Sequence, residues 1–228
     1  MGVPQILKLI GGSVKKRIII SIITIVVMLI ILYILQIIPH KKYDNSYFGI
    51  EQYISNVDKD NDNIDDQTDI LLNVKNYVKK RPKYKSKYYD TGYPNDEYGV
   101  CTDVVAFGLK NAGYDLMELV NNDIIKNKEK YDIDVVDKNI DFRRVINLNV
   151  YFRNNNISLT TDLSKIEEWQ GGDIVVFKGH IGIVSDKRNK KGIPYLYHHS
   201  NPFQINYEED VLELYEKQKS IIGHYRIS

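Results

Sequence analysis

The 228-residue chain has one cysteine, Cys101, one tryptophan and six prolines. A lone thiol excludes an intramolecular disulfide, so packing, hydrogen bonds and ion pairs must hold the fold. A surplus of charge is missing too, with 31 basic residues against 30 acidic ones. That balance gives no argument for nucleic acid as a partner. Internal repeats and low-complexity tracts are absent, which sets aside repeat architectures.

What the chain does have is one long apolar run. Residues 18–38 read IIISIITIVVMLIILYILQII, without a charge. About 20 such residues suffice for a helix to cross a hydrocarbon core. Lys8, Lys15, Lys16 and Arg17 precede the run, which favours a cytoplasmic N-terminus of residues 1–17. The run ends in QIIPHKKY, without the small-residue site at which a signal peptide is cleaved. The expectation is an uncleaved signal anchor over 18–38, with the rest outside the cytoplasm. Residues 1–42 hold six basic and no acidic side chains, leaving 25 basic and 30 acidic residues, net −5, in the outer part.

After the anchor, 39–57 reads as a short tether and 58–228 as one domain. Ile70, Val74, Tyr77 and Val78 mark a helix stopped before Pro82. Cys101, Val104, Val105, Gly108, Leu109 and Ala112 form one face of a second helix. Further helices are expected near Leu116–Lys128 and around Val145, Leu148 and Phe152. Beyond Trp169 the pattern changes: GGDIVVF, HIGIVSD, YLYHHS and IIGHYRI read as short strands between polar turns. Helices first and antiparallel strands afterwards predict an α+β fold.

Three residues suit acyl-transfer chemistry: Cys101, His180 and His198. Buried free cysteine often only fills a core. At a helix start, however, the helix field lowers a thiol pKa and a nearby imidazole can take the proton. Backbone N–H groups there, including that of Cys101, can face a developing oxyanion, and Gly99 leaves room for close substrate approach. His180 opens a strand. A third polar group must orient it, and alternation puts His198 and His199 on opposite faces, so one of the two can face His180. In DFRR, Asp141 is expected to pair internally with Arg143 or Arg144, the competing use being a clamp for a substrate carboxylate. Asp173 reads as a turn-closing residue and His224 as structural.

DKDNDNIDDQTD places Asp58, Asp60, Asp62, Asp66 and Asp69 at loop positions one, three, five, nine and twelve, with the Ile64 carbonyl at seven. That is the ligand spacing of an EF-hand-type calcium loop. Asn63 stands where glycine is usual, a position asparagine tolerates. Structural Ca2+ is the expectation; a solvated acidic linker is the alternative.

The order CTDVVAFGLKNAG, WQGGDIVVFKGHIGIVSD, YLYHHS resembles the NlpC-type branch of the papain-like cysteine hydrolases. YGVCTDVV, NIDFRRVINL, GDIVVF, HIGIVSD and GHYR resemble, more closely still, a bacterial family known as domain of unknown function 1287. The resemblance covers about Asp58 onward. Val100 stands where the NlpC-type enzymes usually carry Asp. The resemblance implies a papain-like domain with helices packed on a small antiparallel sheet. It implies Cys101 as nucleophile, His180 as general base and His198 as the orienting residue. Read with the anchor, it implies a single-pass bacterial membrane protein with an extracytoplasmic thiol hydrolase (a cysteine peptidase or amidase). The substrate would be an amide, with peptidoglycan stem peptides of the cell wall first among the choices, and catalysis would need no cofactor. A non-catalytic binding module for wall fragments or a protein partner, and a hydrolase of lipid or thioester acyl groups, are the competing readings.

Overall fold

The computed structural model describes residues 3–34, 37–38 and 40–227. They divide after His40 into an N-terminal helical unit and a compact domain from Lys41 onward.

The first unit is helix α1, Val3–Ile34. Its Val14–Tyr33 stretch of 20 residues is long and apolar enough to span a bilayer, as a single-pass anchor or a signal sequence would be. Proline is tolerated in the first turn of a helix, which accommodates Pro4. The helix starts well before the apolar run. It also stops short of the run's end: the amides of Ile37 and Ile38 both reach back to the carbonyl of Leu32. Pro39 disfavours helical geometry just ahead of itself. Positions 35, 36 and 39 lie outside the described residues.

The second unit is α+β. Its elements, in chain order, are β1 (Tyr43–Asp44), α2 (Asp66–Lys79), β2 (Lys83–Tyr84), β3 (Tyr98–Gly99), α3 (Cys101–Lys110), α4 (Leu116–Lys126), α5 (Lys138–Asp141) and α6 (Val145–Asn155). They continue with β4 (Ile157–Ser158), β5 (Ile174–Phe177), β6 (His180–Arg188), β7 (Pro194–Tyr197), β8 (Glu208–Glu209), α7 (Leu212–Lys219) and β9 (Ile221–Arg226). Seven strands form one antiparallel sheet in the order β4-β9-β5-β6-β7-β8, with β1 also on β6. A separate parallel pair joins β2 to β3, just ahead of α3.

The segment 39–57, read as a tether, belongs to this unit from Lys41: Tyr43 pairs with Arg188 and Asp44 with Lys187. The reason lies in Arg188, whose buried guanidinium donates to Asn45 Oδ1 at 2.6 Å. It also donates to the carbonyls of Ile166, Gly192 and Trp169. A buried cation needs such acceptors, and Asn45 supplies one from the N-terminal segment.

The unbroken apolar run IVVF reflects a sheet covered on both faces. Ile174 and Val176 join Ile70, Val74, Val104, Val105, Leu109 and Phe152 in the helix-side core. Val175 and Phe177 face the other way, into a second cluster with Trp169, Leu196, Leu212 and Tyr215. Between β5 and β6 the chain turns through Lys178 and Gly179, where Gly179 takes a φ of +76°. That conformation comes without strain only to glycine. It sets His180 directly opposite Phe177 at the head of β6.

The α3 helix and its thiol

Residue 101 is the first of α3, with Val100 as its N-cap in extended conformation. Valine cannot cap by side chain, so Asp103 does the capping in reverse, accepting the Val100 N–H at 2.8 Å. Asp103 is fully buried, and Arg143 clamps it through Nε–Oδ1 at 2.7 Å and Nη2–Oδ2 at 2.9 Å. Arg143 also donates to the carbonyl of Lys87. The internal pair in DFRR is therefore Asp141–Arg144, at 3.8 Å, while Arg143 braces the start of the cysteine helix across 40 residues of sequence.

Gly99 has a different use from the one its position suggested. It is buried, and a Cβ there would overlap the hydroxyl of Tyr77. Its bareness serves packing against α2.

The thiol of Cys101 is half-buried and sits by the main chain of β6. Burial pushes it up to about 11; the Ile181 amide, the Thr102 amide and Lys219 pull the other way, and the Asp103 charge adds to the rise. The expected lowering by the helix start is present but outweighed by desolvation, which disfavours the charged form.

Candidate active site

His180 and His198 meet. The Nε2 of His180 lies 3.1 Å from Nδ1 of His198, with the rings perpendicular. On its far side, Nε2 of His198 lies 3.1 Å from Oε2 of Glu209. His198 is wholly buried. His199 turns away, its ring against Tyr84 and Tyr207. The Ile181 amide that acts on the Cys101 sulfur follows His180 by one residue. Tyr215 packs on both imidazoles: its ring lies 5.4 Å from that of His180 and 5.5 Å from that of His198, and burial raises its phenol.

Glu209, Tyr215 and Lys219 are additions that residue patterns did not supply. Glu209 arrives through β8, which pairs with β7 in the register Leu196–Glu209 and Tyr197–Glu208. Its neighbour Glu208 is taken by Ser185 and Lys42. Lys219 ends α7 with its ammonium 4.6 Å from the Tyr215 ring centre.

Electrostatics keeps lone charges out of this cluster. Desolvation, then the charges of His198, Lys219 and His199, lowers His180 to about 2. Desolvation and Lys219 lower His198 to about 3. Desolvation raises Glu209 to about 7. Neutral imidazoles in a row can pass hydrogen bonds in one direction only, since each ring then has one donor and one acceptor nitrogen. With Glu209 ionised, His198 must donate from Nε2 and accept at Nδ1, so His180 donates from Nε2. The lone pair of His180 is then on Nδ1. With Glu209 protonated, the row reverses and Nδ1 of His180 carries the proton.

The acidic loop behaves differently along its length. Carboxylate oxygens of Asp58, Asp60 and Asp62 lie within 4.8 Å of one another. Asp66 is not with them: it accepts from Lys59 N at 2.8 Å and from the Tyr114 hydroxyl. Asp173 and His224 form a buried knot, with Asp173 accepting from Gln170 N, Gln67, His224 and Arg226.

The fold is an α+β domain with a half-buried thiol at the start of one helix and a carboxylate–imidazole–imidazole row on its antiparallel sheet. The chain belongs to the family described as Domain of unknown function (DUF1287), which matches residues 72–227. A curated relative, Uncharacterized protein YijF of Escherichia coli (strain K12), is 36% identical over 154 residues, 64% of this chain and 72% of that protein. No solved structure matches the chain.

Proposed function

We propose that this protein is a membrane-anchored, extracytoplasmic cysteine hydrolase of papain-like, NlpC type that cleaves an amide bond, with peptidoglycan stem peptides as its substrate class. The observation that carries the reading is the row Glu209–His198–His180, whose last imidazole is followed in sequence by Ile181, the residue whose amide acts on the Cys101 sulfur. Such a row has a direction, and with Glu209 ionised it leaves the Nδ1 lone pair of His180 for the thiol proton.

In the first half-reaction the Cys101 sulfur bonds to the carbonyl carbon as its proton passes to Nδ1 of His180. The C–N bond then breaks, the amine leaves with that proton, and a thioester remains on Cys101. In the second half, His180 takes a proton from water, whose oxygen attacks the thioester. The C–S bond breaks and the thiol recovers its proton. The Cys101 amide, in the first turn of α3 where no intrahelical acceptor exists, is positioned to steady the oxyanion. Because burial keeps the resting thiol neutral, the proton transfer accompanies attack; it does not precede it.

The test is incubation of the full chain in detergent micelles, and of Cys101→Ala, with purified peptidoglycan, followed by mass spectrometry of released fragments. Fragments produced only with Cys101 intact support the reading, and their masses name the bond. A second reading, a binding module, is favoured by the raised thiol alone. It is preferred if neither form releases fragments while both bind the polymer.

A further inference from the structure

Among the features that the proposed chemistry leaves unused, the acidic loop ahead of α2 carries an independent inference. Asp58, Asp60 and Asp62 crowd their carboxylates within 4.8 Å. On its own that is a common surface arrangement. A second observation changes its meaning. Asp69, on the first turn of α2, is 6% exposed, and its Oδ2 is buried with no hydrogen-bond partner among the described residues. Asp66, three residues earlier and so on the same face of α2, accepts the Lys59 N–H, which lays the loop against this turn. A buried, unpartnered carboxylate oxygen at the foot of an acidic loop calls for a cation.

We propose that Asp58, Asp60, Asp62, the Ile64 carbonyl and Asp69 form a calcium site that joins the loop to the start of α2. Four carboxylates and a carbonyl supply oxygens toward the six to eight that Ca2+ takes, with water completing the shell. No His or Cys lies in the loop, which sets softer transition metals aside. The backbone turns sharply at Asn61 and Asn63, with φ of +61° and +71°, and the amides of Asp62 and Asn63 close on Asp58. The donor set differs from the spacing expectation at one place. Asp66, at position nine, spends its oxygens on Lys59 N and Tyr114, and Asp65 caps α2 through Thr68 N and holds Ser55 N. These two acids anchor the loop to protein; the other four are left for the ion.

The site is silent on what bond is cleaved. The loop runs into α2, which packs directly on the cysteine helix α3.

The full chain, stripped with chelator in detergent micelles, is titrated with CaCl2 by calorimetry and followed by thermal melting. One binding event and a melting point raised by several degrees are expected. Asp69→Asn is expected to weaken binding by about tenfold or more, since ligand charge sets affinity in such loops. Asp62→Asn, on the exposed side of the loop, repeats the test without touching a buried position. No heat and no melting shift at roughly 10 mM CaCl2, beyond the range of weak extracellular modules, would overturn the proposal. So would equal responses to MgCl2, or wild-type affinity in both variants.

Discussion

The Nε2 of His198 lies 3.1 Å from Oε2 of Glu209, and the imidazole is wholly buried. The carboxylate therefore sets the tautomer of His198, and through it that of His180.

On the proposed chemistry, turnover depends on Glu209 being ionised. Its pKa is raised to about 7, so turnover should climb as pH rises through about 7. Glu209→Gln should lower kcat by roughly 10–100-fold and remove that limb from the pH–rate profile. Stability runs the opposite way. A carboxyl that holds its proton more tightly when folded contributes fully below its unfolded pKa, and the contribution fades as pH rises through about 7. A profile of kcat/KM that keeps its inflection in the Gln variant would assign the limb to another group.

The two adjacent histidines should separate cleanly. His198→Ala breaks the row on both sides and should abolish turnover. His199→Ala removes a ring packed against Tyr84 and Tyr207 and should leave most activity. The reverse result in a fragment-release assay would mean that His199 orients the base.

Alkylation reports on the thiol. With Cys101 pushed up to about 11 by burial, carboxymethylation should be slow at neutral pH and accelerate into the alkaline range. Lys219→Gln removes one of the influences that favour the thiolate, so the curve should move further upward. A rate already on its plateau near pH 7 would contradict the neutral resting thiol.

Truncating Arg143 leaves Asp103 buried without its cation. Arg143→Ala should cost about 3–5 kcal/mol of unfolding free energy, as for other broken buried pairs. Arg143→Lys should recover only part of this, because the two-pronged contact is lost. Denaturant unfolding of the three chains provides the comparison.

Gly99 and Tyr77 should be coupled. Gly99→Ala drives a methyl into the Tyr77 hydroxyl and should destabilise by about 1–3 kcal/mol. That hydroxyl is buried with no partner among the described residues, so Tyr77→Phe should be nearly neutral. In the double variant Phe should relieve much of the alanine's effect, giving a coupling energy that a melting series can read.

How much of this was legible in the sequence depended on the range of the interaction. Runs such as IVVF and the stripe from Cys101 to Ala112 are local, and their strand and helix followed. The order Cys101, His180, His198 could be read by resemblance, and His198 and His199 part ways just past the end of β7 at Tyr197. Glu209 could not be found that way. In NYEEDV it is one of three neighbouring acids, and only the register of β8 against β7 sends it, and not Glu208, to the histidine. Arg143 offered a nearby partner in Asp141, yet chose Asp103, because the buried N-cap of α3 had greater need of a cation. Asp66 carried the right spacing for calcium, but its burial against Tyr114 gave it a different task. Each miss is a contact between distant segments, where burial outweighed sequence proximity.

The last strand, β9, lies in the interior of the sheet between β4 and β5, and it brings His224 and Arg226 to Asp173. Until residues 221–226 are synthesised, β5 keeps an open edge and Asp173 remains a buried acid without its main donors. A chain that lacked these residues would present β5 as an unpaired strand, the kind of edge on which a second chain can pair.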